Sequence, residues 1–142
     1  MEIPKIISGG NHLDERGTLF FNNNFDASEV KRIYFIENKD THFVRGWIGH
    51  KIEQRWFSAV TGSFIIRLVK IDNWIEPDKQ TEIIEFELDS RQLNVLHIPQ
   101  GYATAIQAKE DGSRLLVMAN YLLGEIDDQY RFEIDYFEKL TS

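Results

Sequence analysis

Arg45, His50, Gln54 and Arg55 fall within one short stretch of the chain. Histidine is the side chain whose ordinary pKa lies nearest neutrality, so His50 is the best base by residue type. A guanidinium is a permanent cation with a planar fork of donors. Arg45 and Arg55 therefore suit an oxygen that gains negative charge during a reaction, or a diphosphate. Arg16, inside Asp14-Glu15-Arg16-Gly17, suits bidentate phosphate recognition. Thr104 offers one hydroxyl that can donate a hydrogen bond but is no base at neutral pH without help. Tyr34 could contact a base or sugar ring, or simply pack among its apolar neighbours. Each has a plainer counterpart: a lone arginine on the surface, a turn, or a core histidine with its hydrogen bonds satisfied.

The elements that must carry these groups read as strands. Side chains alternate along a strand, so Ile48, His50, Ile52 and Gln54 share a face if the stretch stays extended. Burial of that face would lower the pKa of His50 and keep it neutral. Further strands are expected over Thr18–Phe21, Val30–Ile36, Phe64–Ile71, Thr81–Leu88, Asn94–Ile98, Tyr102–Ala108, Arg114–Tyr121 and Tyr130–Tyr136. Thr61-Gly62 and Asp111-Gly112 read as hairpin turns. Asp14–Gly17 reads as a turn, and residues 1–12 as short and mixed. No segment sustains a helical period. The expectation is a single all-β domain over residues 1–142, with nine or ten strands and a short polar C-terminal tail.

Composition removes several classes of function. Sixteen Lys and Arg against 23 Asp and Glu give a net charge of −7, which argues against nucleic-acid binding by bulk charge. There is no cysteine, hence no disulfide, zinc–thiolate site or thiol nucleophile. No apolar run approaches about 18 residues, and the first residues lack a signal-peptide core. A soluble, cytoplasmic protein without a membrane partner is expected. His12, His42 and His97 read as lying on loop edges or beside a turn, and none pairs with another at metal-ligand spacing. Trp47, Trp56 and Trp74 read mainly as core or interface.

Order and spacing of several motifs resemble one family. Asp14-Glu15-Arg16-Gly17, Lys31-Arg32-Ile33-Tyr34-Phe35-Ile36, the run from Arg45 to Gln54, and Ile98-Pro99-Gln100-Gly101-Tyr102-Ala103-Thr104 follow one another in the pattern of the nucleotide-sugar cupins. The chain is similar to the dTDP-4-keto-6-deoxyglucose 3,4-ketoisomerases (WxcM-like) and, more distantly, to the dTDP-4-dehydrorhamnose 3,5-epimerases, from about Asp14 to Phe137. The resemblance implies a double-stranded β-helix, or cupin jelly roll, that acts as a homodimer on a dTDP-linked 4-keto-6-deoxyhexose in deoxysugar and polysaccharide biosynthesis.

Such isomerases and epimerases remove a proton next to a ketone. They need a base, a donor for the enolate oxygen and an acid that returns a proton. The resemblance assigns catalysis to His50, Arg45 and Thr104, and substrate contacts to Arg16, Tyr34, Gln54 and Arg55. Ile48 and Thr104 stand where the family carries histidines, and Leu116 stands where the epimerases carry an acidic tyrosine. Metal-binding cupins use positions that here are Ile48, His50, Arg55 and Thr104, so neither a metal nor another cofactor is expected. Two readings remain side by side: an isomerase or epimerase with His50 as base, and a sugar-nucleotide-binding cupin with a regulatory or partner role.

Overall fold

A computed structural model describes residues 2–137, and every regular element among them is a β-strand. In chain order these are β1 (Lys5–Ile7), β2 (Gly10–Asp14), β3 (Gly17–Phe21), β4 (Arg32–Ile36), β5 (Val44–His50), β6 (Arg55–Thr61), β7 (Ser63–Lys70), β8 (Ile84–Asp89), β9 (Val95–Ile98), β10 (Tyr102–Ala108), β11 (Arg114–Ala119) and β12 (Tyr130–Arg131). Ten strands form two five-stranded sheets, ordered β1-β9-β6-β11-β4 and β12-β5-β10-β7-β8. The other two, β2 and β3, form a separate hairpin.

The sheets close face to face because their strands alternate. Phe57, Leu96, Leu115 and Val117 of the first sheet meet Phe64, Ile66, Leu68, Leu88 and Ile106 of the second. Burying one such side chain contributes about 1.5–3 kcal/mol. That gain sets the register, since a slip by one residue would turn every apolar side chain outward. A second cluster, with Trp47, Val69, Ala105 and Phe137, backs the second sheet, and a third, with Trp56, Val95 and Met118, backs the first.

The turns at Gly62 and Gly112 are corners between sheets, not the hairpins expected. β6 pairs with β9 and β11, whereas β7 pairs with β8 and β10. The chain therefore changes sheets at Gly62, and again between β10 and β11. Gly62 has φ +71°, and a Cβ there would lie 2.0 Å from Ser113 Oγ. That hydroxyl ties the corners together by accepting from the Ser63 amide and donating to the Glu110 carbonyl. A tight glycine turn reads the same whether its flanking strands pair with each other or with distant partners.

Asp14–Gly17 is a true hairpin turn joining β2 to β3. β1 and the first part of β2 fall in residues 1–12, where no strand was expected. The strand expected over Tyr130–Tyr136 shrinks to β12. Phe132, Tyr136 and Phe137 leave it to pack on one another and on Trp47, with Trp47 and Phe137 rings edge to face at 5.1 Å. Residues 138–142 of the expected polar tail lie outside the described residues. No helix among the described residues is long and apolar enough to cross a membrane.

Candidate active site

β5 ends at His50 because a distant carboxylate gathers the next amides. Asp128 accepts from the backbone N–H of Lys51, Ile52 and Glu53 at 3.0, 2.9 and 2.8 Å. The chain turns there, so the face expected to join Ile48, His50, Ile52 and Gln54 does not form. Ile52 is exposed. Gln54 swings to the outer side of the first sheet, where its Oε1 accepts from His97 Nε2 at 2.7 Å. His97 lies within the strand expected over Asn94–Ile98: it is buried in β9 with its ring stacked on Trp56 at 5.3 Å. Gln54 is thus withdrawn from the substrate-binding set. Gly101, with φ +96°, supplies the turn before β10 and donates its amide to the His50 carbonyl at 2.8 Å.

Ile48 and His50 face a cavity of about 320 Å³. It brings together Tyr34, Arg45, His50, Arg55 and Thr104 from four strands, and adds Arg32, Glu53 and the 122–129 segment. Ile48 and Thr104 are direct register partners on β5 and β10. With Ile36, Phe57 and Ile106 they give the cavity an apolar wall opposite the charged groups.

The His50 ring is held in one tautomer. Its Nδ1 lies 3.1 Å from the Asp128 backbone carbonyl. A carbonyl oxygen only accepts, so Nδ1 carries the hydrogen and the Nε2 lone pair is free. Burial, and then the nearby Arg55 charge, push its pKa down to about 4. Arg55 donates through Nη1 to Tyr34 Oη at 2.5 Å, and its Nη2 lies 3.1 Å from Glu53 Oε1. Because Tyr34 accepts from Arg55, its own hydroxyl hydrogen is left to donate elsewhere. The Arg32 guanidinium lies 4.8 Å from the centre of the Tyr34 ring. Arg45 donates through Nε to Asn38 Oδ1 at 3.3 Å.

Arg16 lies elsewhere. It sits at the tip of the β2–β3 hairpin with its side chain 83% exposed, paired with Asp14 at 2.7 Å. Local pairing with a residue two positions away satisfies it, and within this chain it is no part of the cavity. Leu116 packs in the cluster around Trp56, on the outer face of the first sheet, so that position does not reach the cavity either.

His50, Glu53 and Asp128 place ligand-type atoms within 4.8 Å of one another. They do not suit a metal ion. Both Asp128 oxygens are taken by backbone amides, His50 Nδ1 is taken by a carbonyl, and two guanidinium groups flank Glu53. A divalent cation there would meet fixed positive charge.

Arg32, Glu53 and Asp128 line the cavity and were not singled out in the sequence. Arg32 was readable, since it alternates with Tyr34 and Ile36 along β4. Glu53 and Asp128 carry no local signal. Replacing Asp128 with asparagine is expected to cost about 2 kcal/mol, because an amide group would face backbone N–H donors with a donor of its own. Urea unfolding checks this, and an unchanged midpoint would refute the role given to Asp128.

Two antiparallel five-stranded sheets enclosing a polar cavity define a cupin jelly roll. The FdtA, WxcM-like C-terminal family model matches residues 1–141. The chain belongs to that family. No curated protein matches it. Among solved structures, it is similar to a histidine-to-asparagine variant of the 3,4-ketoisomerase QdtA from Thermoanaerobacterium thermosaccharolyticum, in complex with TDP-4-keto-6-deoxyglucose. That match has 25% identity and a TM-score of 0.70, covering 96% of this chain and 92% of the other. A 3,4-ketoisomerase from Helicobacter canadensis matches at 22% identity and TM-score 0.70, covering 98% of each chain. The dTDP-4-dehydrorhamnose 3,5-epimerase of Bacillus anthracis shares the fold at 12% identity and TM-score 0.70, covering 88% and 76%.

Proposed function

We propose that this chain is a sugar-nucleotide ketoisomerase acting on a dTDP-linked 4-keto-6-deoxyhexose by proton transfer next to the ketone. The observation that carries the reading is His50, neutral and with its Nε2 lone pair free, in a cavity it shares with three arginines and a tyrosine. QdtA holds TDP-4-keto-6-deoxyglucose as a histidine-to-asparagine variant, so in that relative the ligand binds without that imidazole. Here His50 takes the proton, and Arg45 and Thr104 complete the catalytic set. Tyr34 and Arg55 contact the substrate, with the Tyr34 hydroxyl donating to the enolate oxygen. Because Ile48 and Thr104 replace two histidines of the family pattern, one imidazole both removes and returns the carbon-bound proton. The setting is deoxysugar and polysaccharide biosynthesis in the cytoplasm.

Incubation with dTDP-4-keto-6-deoxyglucose in D2O tests the reading, with deuterium followed at C3 and C5. Exchange at C3 with a 3-keto product is expected. The loss of a histidine at Ile48 favours a second reading, a binding module. Tight dTDP binding without exchange would select it. dTDP at 100 times its dissociation constant is expected to stabilise the fold by about 2.7 kcal/mol. A melting temperature unmoved by millimolar dTDP would reject both readings.

The active form is proposed to be a homodimer. Leu13, Leu19 and Phe20 are exposed on the β2–β3 hairpin, and Ile33 and Phe35 on β4, an edge strand. An isolated two-stranded hairpin is marginally stable in water, and an apolar edge invites a partner. Light scattering at micromolar concentration is expected to give twice the chain mass, and a monomer would reject the dimer.

A further inference from the structure

We propose that Glu53 is the proton shuttle between the two oxygens of the substrate's hydroxyketone, a catalytic residue beside His50. This rests on the ketoisomerase reading. Such a reaction moves two hydrogens. One goes from the carbon bearing the hydroxyl to the carbon that bore the ketone. The other goes from the hydroxyl oxygen to the former ketone oxygen. His50 has one nitrogen free and accounts for the first. A second group must carry the other.

Glu53 is placed for it. It lines the same cavity, and one carboxylate oxygen lies within 4.8 Å of a His50 ring nitrogen. A single C–OH unit spans that separation when each group approaches its hydrogen to about 3 Å. Among the described residues no hydrogen bond reaches the Glu53 carboxylate, and its Oε1 is buried without one. Arg55 Nη2 at 3.1 Å and Arg32 Nη1 at 3.8 Å orient it by charge alone. The other acidic residues along the cavity do not compete. Asp128 is spent on three backbone amides, and Asp127 is exposed at the mouth. Two guanidinium groups match the charge of the carboxylate, while the hydrogen-bonding capacity of Oε1 stays open to a substrate hydroxyl.

The steps balance. His50 Nε2 takes the proton from the hydroxyl-bearing carbon. The C–H electron pair becomes the C=C bond of an enediolate, and the carbonyl π pair moves onto the former ketone oxygen. The Glu53 carboxylate accepts the proton of the remaining hydroxyl and passes it to that oxygen. The oxygen left bare re-forms a carbonyl, and the C=C pair takes the proton back from His50 at the neighbouring carbon. One carbon is oxidised and its neighbour reduced by the same electron pair, and no co-reactant is consumed.

The test separates enediolate formation from completed isomerisation. Wild type, Glu53→Gln and Glu53→Asp are given dTDP-4-keto-6-deoxyglucose in D2O. Deuterium at C3 of recovered substrate and 3-keto product are both measured, alongside melting temperature and dTDP binding. Glu53→Gln is expected to lose product formation by about 10²-fold while C3 exchange continues, and Glu53→Asp to recover part of the turnover. A parallel fall of exchange and turnover in a variant that still melts normally and binds dTDP would overturn the shuttle. So would wild-type turnover in Glu53→Gln. Should Glu53→Gln fail to fold, Glu53→Asp is read alone: a larger loss of turnover than of exchange supports the role, and an equal loss overturns it. A wild type that neither exchanges nor turns over rejects the ketoisomerase reading itself, and the role of Glu53 with it, before any variant is compared.

Discussion

Replacing His50 with asparagine is expected to lower turnover of dTDP-4-keto-6-deoxyglucose by about 10²–10⁴-fold, the usual share of general acid–base catalysis. The asparagine amide can still donate to the Asp128 carbonyl that now receives Nδ1–H. The turn after β5 is held by the Asp128 carboxylate and does not depend on the imidazole. Fold and dTDP binding should therefore persist while C3 exchange disappears. An activity untouched by the substitution would make His50 a structural histidine and remove the base from the proposed site. Ile48→His offers a second check. It would place an imidazole beside Thr104, on the β5 face that His50 occupies, and is expected to raise turnover if a polar neighbour orients the new ring.

The second large effect is on stability against pH. His50 is neutral in the folded chain, with its pKa pushed down from 6.5 to about 4. The unfolded chain therefore binds more protons than the folded one between those two values, and stability rises with pH across that window. The contribution is complete above pH 6.5, falls as pH drops towards 4, and changes no further below it. At about 1.36 kcal/mol per pKa unit, the whole shift corresponds to about 3 kcal/mol. His97 shifts in the same direction, also through burial, so wild type alone does not isolate His50. Urea unfolding at pH 7 and pH 4.5, for wild type and His50→Asn, does so by difference. The variant is expected to lose about 2–3 kcal/mol less than wild type on acidification. Equal losses would mean that His50 titrates normally and is not buried as described. The acid limb of kcat/KM should likewise fall near pH 4 rather than 6.5.

Exposed ion pairs contribute little to this balance. Arg16 with Asp14 and Arg91 with Asp89 are local pairs on the surface, and each holds its carboxyl below the usual range. Solvent screens them. Arg16 shows what local sequence does not reveal: within this chain the guanidinium that looked suited to a phosphate is matched by the carboxylate two residues before it.

What the sequence determined by itself is what depends on neighbours along the chain. Strands β7, β10 and β11 were visible as apolar, β-branched and aromatic runs bounded by turn residues, and such runs committed the chain to stacked sheets. The side-by-side placement of His50, Arg45, Tyr34, Arg55 and Thr104 was anticipated through motif order, and the cavity gathers all five. Only the tertiary structure decided the rest. Whether Gly62 makes a hairpin or a corner depends on which strands compete for its flanks, and β9, β10 and β11 outcompete the local pairing. Gln54 left the expected face because Asp128, 75 residues away from Glu53, draws the intervening amides to itself. Asp128 also chooses the His50 tautomer, from 78 residues away, and Glu53 gained its place beside the imidazole from the same turn. Propensity and periodicity are local quantities. A hydrogen bond that reaches across the fold leaves no period in the sequence, yet it decides which nitrogen of His50 can act as a base.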